Sequence, residues 1–144
     1  MSSAHRILVI EDDSAFREVL CAALEYDGYH PLPCDHIPEP VNVQQIRASL
    51  VLLDLDLRGE PEGYGFLESL REWPWTRTLP VLVCSGHIVL TAPAAERVCA
   101  LADGVLLKPL DLDMLLDTVR NVLAAGMGNA IDRVVLHIDR KSVV

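Results

Sequence analysis

The chain has 144 residues, 51% of them hydrophobic, only 5% aromatic and 23% charged, with a formal net charge of −9. One core filled by Val, Leu, Ile and Ala follows from that length and composition, and the acidic balance argues against gripping nucleic acid directly, because phosphate backbones need a basic face. No apolar run reaches the roughly 18 residues of a membrane span, and the opening Met1-Ser2-Ser3-Ala4-His5-Arg6 is too short and polar for a signal peptide, so a cytoplasmic location is expected.

Ile7-Leu8-Val9-Ile10 is an unbroken apolar run, as expected of a strand buried on both faces, and it ends in Glu11-Asp12-Asp13. Asp13 or Ser14 caps a helix in which Phe16, Val19, Leu20, Ala23 and Leu24 recur at helical spacing, and Asp27-Gly28 ends it. Tyr29 to Asp35 reads as a strand, and Pro31 and Pro33 place it at a sheet edge. Pro38 and Pro40 break the next segment, leaving Val41 to Ala48 for a short helix.

Val51-Leu52-Leu53 runs straight into Asp54, with Asp56 two residues on. Arg58 to Gly63 is a loop by its glycine and proline content, and Tyr64 to Glu72 a helix that Trp73-Pro74-Trp75 closes, the two tryptophans covering its end. Leu79 to Cys84 is a strand entering Ser85-Gly86-His87, followed by a helix over Ala92 to Ala102. Val105-Leu106-Leu107 is a last strand ending at Lys108-Pro109. Asp111 caps a final helix with Leu112, Leu115, Leu116, Val119, Val122 and Leu123 on one face.

Five strands alternating with helices predict a doubly wound α/β domain of flavodoxin-like (βα)5 type, with a parallel sheet in the order 2-1-3-4-5 and helices on both faces. The expected domain is 1–125; residues 126–144 form a tail in which Val134 to Ile138 is read as an extra strand, a dimer contact or the start of a linker. Cys21, Cys34, Cys84 and Cys99 show no CxxC pairing and are expected as free thiols. The five histidines show no metal-ligand spacing, and Ser85 lacks the nearby base a hydrolase needs.

In that topology the C-terminal strand ends bring Glu11, Asp12, Asp54, Asp56, Ser85, the N–H of Gly86 and Lys108 to one crevice. Clustered carboxylates repel and need a cation, and hard oxygen ligands with room for water suit Mg²⁺. A lysine, a hydroxyl and a backbone N–H are donors that match phosphoryl oxygens. A carboxylate between the two reads as a nucleophile forming an aspartyl phosphate.

These motifs resemble the receiver domain of two-component response regulators. The matching pieces are Ile7 to Asp12, Leu52-Leu53-Asp54, Val83-Cys84-Ser85-Gly86 and Leu107-Lys108-Pro109, and the resemblance covers about Arg6 to Ala125. It implies that Asp54 accepts a phosphoryl group from a histidine kinase or phosphotransfer protein. Asp12 would ligate Mg²⁺ directly and Glu11 largely through water, with Asp54 and the backbone carbonyl of Asp56 completing the protein ligands. Lys108 would contact Asp54 at rest and the phosphoryl oxygen afterwards. Ser85 would swing in to bond that group, assisted by the N–H groups of Leu55 and Gly86. A cis bond before Pro109 is also implied. Beyond self-phosphorylation and dephosphorylation, no enzymatic turnover is expected.

Val105 stands where the family usually has the Tyr or Phe of its switch, and Asp56 and His87 flank the phosphoryl site. The implied output surface is Ala92 to Ala102, Val105 to Leu107 and Leu112 to Leu123, meeting a protein partner or a second copy. Two alternatives remain at this level. One is a phosphorylation-independent interaction scaffold. The other is a haloacid-dehalogenase-like phosphatase, which Asp54-Leu55-Asp56 also resembles; that family keeps its acidic pair after the lysine, whereas here Glu11-Asp12 comes first.

Overall fold

The structure is a computed structural model and describes residues 4–55, 62–86 and 92–125. Asp56, the Arg58 to Pro61 part of the expected loop, His87 and the 126–144 tail lie outside the described residues. Ten elements alternate: β1 (Arg6–Ile10), α1 (Ser14–Tyr26), β2 (His30–Cys34), α2 (Pro40–Ile46), β3 (Leu50–Asp54), α3 (Glu62–Glu72), β4 (Val81–Ser85), α4 (Ala92–Leu101), β5 (Gly104–Leu107) and α5 (Leu112–Ala125). The sheet is parallel throughout with the expected order β2-β1-β3-β4-β5.

Alternation along the strands splits the interior into two layers. Leu8, Ile10, Val51, Leu53, Val81, Val83 and Val105 pack with Val43 of α2, Leu67 and Leu70 of α3 and Val98 of α4. Ile7, Val9, Leu50, Leu52, Leu82, Cys84 and Leu106 pack with Leu20 and Leu24 of α1 and Leu115, Val119 and Val122 of α5. Each central strand therefore needs apolar residues at every position, which explains the unbroken runs.

The two prolines of β2 sit where the ladder tolerates them. His30 N–H donates to the His5 carbonyl at 2.9 Å, and the Cys34 carbonyl accepts from Glu11 N–H at 3.0 Å. In a parallel ladder alternate residues face the neighbour, so Pro31 and Pro33 turn their missing N–H to the open edge.

Several boundaries differ from expectation. Pro40 is not a breaker but the first residue of α2, where its missing N–H costs nothing. α3 begins at Glu62 and includes Gly63 and Gly65. β5 begins at Gly104, one residue earlier than expected, and a side chain there would meet Leu82 Cδ2 at 2.6 Å. Val19 is not a core residue of α1; it is 47% exposed, while Leu20 and Leu24 carry the packing. The tryptophans part company: Trp75 is 64% exposed, touching Trp73 edge-on at 5.8 Å. Asp13 is the α1 cap, its Oδ1 accepting from Phe16 N–H at 3.1 Å.

Candidate functional site

β1, β3, β4 and β5 end side by side, and their last residues meet in one pocket. A carboxylate oxygen from each of Glu11, Asp12 and Asp54 lies within 4.8 Å of the others. Glu11 and Asp54 are buried, at 2% and 5% exposure, which is costly for carboxylates unless a cation answers them. Lys108 supplies one: its Nζ donates to Glu11 Oε1 at 2.9 Å and lies 3.4 Å from Asp54 Oδ2. The Lys108–Pro109 peptide is cis, as expected. At rest the lysine is shared between two carboxylates and sits closer to Glu11, rather than serving Asp54 alone.

Three carboxylates face one ammonium, and the imbalance shows in the protonation of the group most enclosed. Burial pushes the Glu11 carboxyl up to about 7, with Lys108 opposing and the nearby Asp54 adding to the rise. For Lys108, burial pulls the other way, but the bond to Glu11 and the charges of Asp54 and Glu11 outweigh it and hold the ammonium above its ordinary value. Cys84, on β4 beneath the pocket, has its thiol raised by burial first and is kept neutral. A second cation would relieve the remaining repulsion. The donor set, all carboxylate oxygens, fits a hard divalent ion such as Mg²⁺.

Glu11 is fixed from several directions. Its Oε2 accepts from Asp13 N–H at 3.2 Å, its carbonyl accepts from Arg17 Nη1 at 2.7 Å, and its N–H joins β2. The Phe16 ring lies under Lys108, with Nζ 4.9 Å from the ring centroid, a cation–π contact that helps hold the side chain. The helical spacing marks Phe16 as an apolar residue of α1 without placing it at the site, and nothing in the sequence marks Arg17. Their only signal for the site is position, one turn into a helix that starts beside the acidic pair.

Ser85 ends β4, fully buried, and its carbonyl accepts from Lys108 N–H at 3.0 Å. Gly86 follows, exposed, and a Cβ there would lie 4.0 Å from Lys108 Cβ. Leu55 is fully buried. Its backbone is pressed by Gly63, where an added Cβ would meet Leu55 Cα at 2.7 Å and the Asp54 carbonyl at 2.9 Å. Gly63, which the glycine and proline content of the sequence assigns to a loop, thus lies in the first turn of α3 and packs against the backbone of the site. Val105 is buried in the layer beneath α2, α3 and α4. Asp56, the expected backbone ligand, and His87 cannot be placed in this geometry because they lie outside the described residues.

A doubly wound sheet with carboxylates and a lysine converging at its C-terminal edge defines a class of phosphoryl-handling domains. The family model of the response regulator receiver domain matches residues 7–120. The phosphate regulon transcriptional regulatory protein PhoB of Escherichia coli is 32% identical over 138 residues, covering 92% of this chain and 57% of that protein. The transcriptional regulatory protein BasR of Escherichia coli is 33% identical over 125 residues, covering 82% and 52%. A crystal structure of a response regulator receiver protein from Pseudomonas putida superposes with a TM-score of 0.73 at 27% identity, covering 84% of this chain and 99% of that one.

The chain belongs to the response regulator receiver domain family. It is a receiver domain of two-component signalling, in which phosphorylation on an aspartate is the expected role. Neither the phosphatase nor the scaffold alternative is favoured by these matches. The chain spans little more than half the length of the two curated relatives, at 57% and 52%. No helix among the described residues is long and apolar enough to cross a membrane.

Proposed function

We propose that Asp54 is the phosphoacceptor. The observation that carries this is the placement of its buried carboxylate at the end of the central strand, 3.4 Å from Lys108 Nζ and clustered with Glu11 and Asp12. An Asp54 oxygen attacks the phosphorus of a kinase phosphohistidine; the P–N bond breaks with its electron pair going to nitrogen, and the histidine leaves as a neutral imidazole that keeps the proton on its other ring nitrogen. Lys108 moves its donor from the carboxylates toward the transferred phosphoryl oxygens. The Ser85 hydroxyl and the N–H groups of Leu55 and Gly86 bond the remaining oxygens, stabilising charge where it gathers.

Asp12 and Asp54, with the backbone carbonyl of Asp56, are the proposed direct Mg²⁺ ligands, and Glu11 holds the ion largely through water. Bound there, Mg²⁺ would offset the carboxylate charge and clamp the phosphoryl oxygens. Because Glu11 must lose its proton near pH 7, metal affinity rises as the pH passes through that value.

Output is proposed to pass through α4, β5 and α5 to a protein partner or a second copy, with a sensor histidine kinase or phosphotransfer protein upstream. Val105 offers no ring to reposition, so Ser85 carries the rearrangement. A cytoplasmic setting follows from the proposed kinase partner. The relatives' names describe transcriptional regulators; direct contact of this domain with nucleic acid is not part of the proposal, given its charge of −9.

The test is intact mass after incubation with acetyl phosphate and Mg²⁺. Wild type should gain one phosphoryl group and Asp54→Asn none. Equal gain in both would remove Asp54 from the role. No gain in wild type, with Mg²⁺ binding confirmed by titration, would favour the scaffold reading.

A further inference from the structure

At the opposite end of β1 from the acidic pocket lies a hollow of about 550 Å³ lined by Ala4, His5, Arg6, Gln45, Arg47 and Ser49. Arg6 opens the strand and Glu11 follows its last residue, so the two sites are separated by about 17 Å of extended chain. Acidic residues outnumber Lys and Arg by 21 to 12 in this chain, yet among the described residues no carboxylate lines the hollow. We propose that it binds a small soluble phosphate-bearing anion carrying two or more negative charges.

Two arginines and an imidazole form the walls. Arg6 Nη1 donates to the Ile46 carbonyl at 2.9 Å, which sets the guanidinium across the end of α2 and uses one of its five N–H donors. His5 Nδ1 lies 3.0 Å from Ser49 Oγ, placing a ring and a hydroxyl side by side. Across the ladder from Arg6 stands His30, exposed on the edge strand. Arg47 makes no ion pair among the described residues.

The backbone of Arg47 adds an independent observation. It takes the left-handed conformation, φ 58 and ψ 48, at the C-terminus of α2. Gly or Asn occupies such a position at lower cost, and residues held there against their preference concentrate at ligand clamps. The same region lowers an obstacle. A helix C-terminus ordinarily disfavours anions through its free carbonyls, but here Arg6 occupies the Ile46 carbonyl and Arg47 N–H bonds the Gln44 carbonyl at 3.1 Å. Arg6 and Arg47 both line the hollow, and the planar fork of a guanidinium matches phosphate oxygens two at a time.

The experiment is calorimetric titration of the whole chain with sodium pyrophosphate in metal-free buffer, which keeps the carboxylate pocket repulsive to anions. Wild type should bind at one site. Arg47→Gly should weaken binding by at least about tenfold (about 1.4 kcal/mol), while its thermal midpoint rises as the backbone relaxes. Arg47→Lys, which keeps charge but loses the fork, should fall between the two. Phosphorylation from acetyl phosphate should be unchanged in Arg47→Gly, so the outcome is separable from the role of Asp54. Absence of binding by wild type overturns the proposal, as does equal binding by wild type and Arg47→Gly. Attachment to phosphatidylglycerol vesicles without affinity for pyrophosphate also overturns it, since the ligand would then be a membrane surface.

Discussion

β2 and β3 are both five-residue parallel strands, and they differ in almost everything else. β3 is buried at all five positions and ends in the Asp54 carboxylate; β2 has no fully buried residue and carries two prolines. The contrast shows what a sheet asks of each place in it. A central strand has neighbours on both edges and helices over both faces, so every residue must be apolar until the chain leaves the sheet. Only at that exit can a charge stand, and there its neighbours are the exits of the adjacent strands. The edge strand has one partner, and half its backbone groups face outward, so it accepts prolines that guard the edge against further pairing.

The largest expected effect tests the contrast in packing. Leu53→Ala, in the layer beneath α2, α3 and α4, should cost about 4 kcal/mol, whereas Leu32→Ala on β2 should cost about 1 kcal/mol. Urea unfolding of both variants measures this, and similar losses would mean that β2 is packed as a central strand.

The charge at the strand exits gives the next effect. The Glu11 carboxyl is raised from 4.5 to about 7 in the folded protein. Between those values the folded state holds a proton that the unfolded chain has released, so the contribution of Glu11 to stability is full below pH 4.5 and is lost as the pH rises through 7. The full shift corresponds to about 3 kcal/mol. Comparing metal-free wild type with Glu11→Gln isolates this group from other carboxylates: the wild-type stability should drop relative to the variant across that window. Saturating Mg²⁺ should reduce the drop, and a constant difference between the two proteins would show that Glu11 ionises normally.

A smaller effect probes the chain just beyond β3. Gly63→Ala places a methyl 2.7 Å from Leu55 Cα, with backbone on both sides of the contact, and should cost about 2 kcal/mol. It should also slow phosphorylation by acetyl phosphate, because the displaced Leu55 N–H is a proposed phosphoryl donor. Gly65→Ala, which meets nothing within 4 Å, is the matched control and should leave the rate unchanged.

Much of this could be read in the chain before any coordinates. The four apolar runs that end in Glu11, Asp54, Ser85 and Lys108 carry both the strands and the site, since a buried parallel strand writes its burial and its exit directly into consecutive residues. The proline pair identified the edge strand by the same logic. Reading was weaker where a residue's role depends on what lies across from it. Val19 has helical spacing with Phe16 and Ala23, but Leu20 and Leu24 take the inward face of α1 and Val19 is left at its exposed margin. Pro40 looked like a breaker because its permitted place depends on where the helix starts. Gly63 looked like loop because nothing nearby in sequence announces that Leu55 presses against it.

Arg71 is the extreme case. Its Nε donates to the Leu101 carbonyl at 2.8 Å, Nη1 to the Leu79 carbonyl at 2.7 Å, and Nη2 to Asp103 Oδ2 at 3.1 Å. That same Asp103 oxygen accepts from Val81 N–H at 2.9 Å. One guanidinium thus ties α3 to the end of α4 and the start of β4, and no motif marks it. The sequence by itself determined the order of elements, the sheet they form and the residues that reach its functional edge, because hydrophobic periodicity and strand exits are local properties. Only the tertiary structure decided which charge answers which, that Lys108 is shared between Glu11 and Asp54, and where a glycine must yield space. Those depend on distances of a few ångströms between segments far apart in the chain, and Coulomb and steric terms change steeply over such distances.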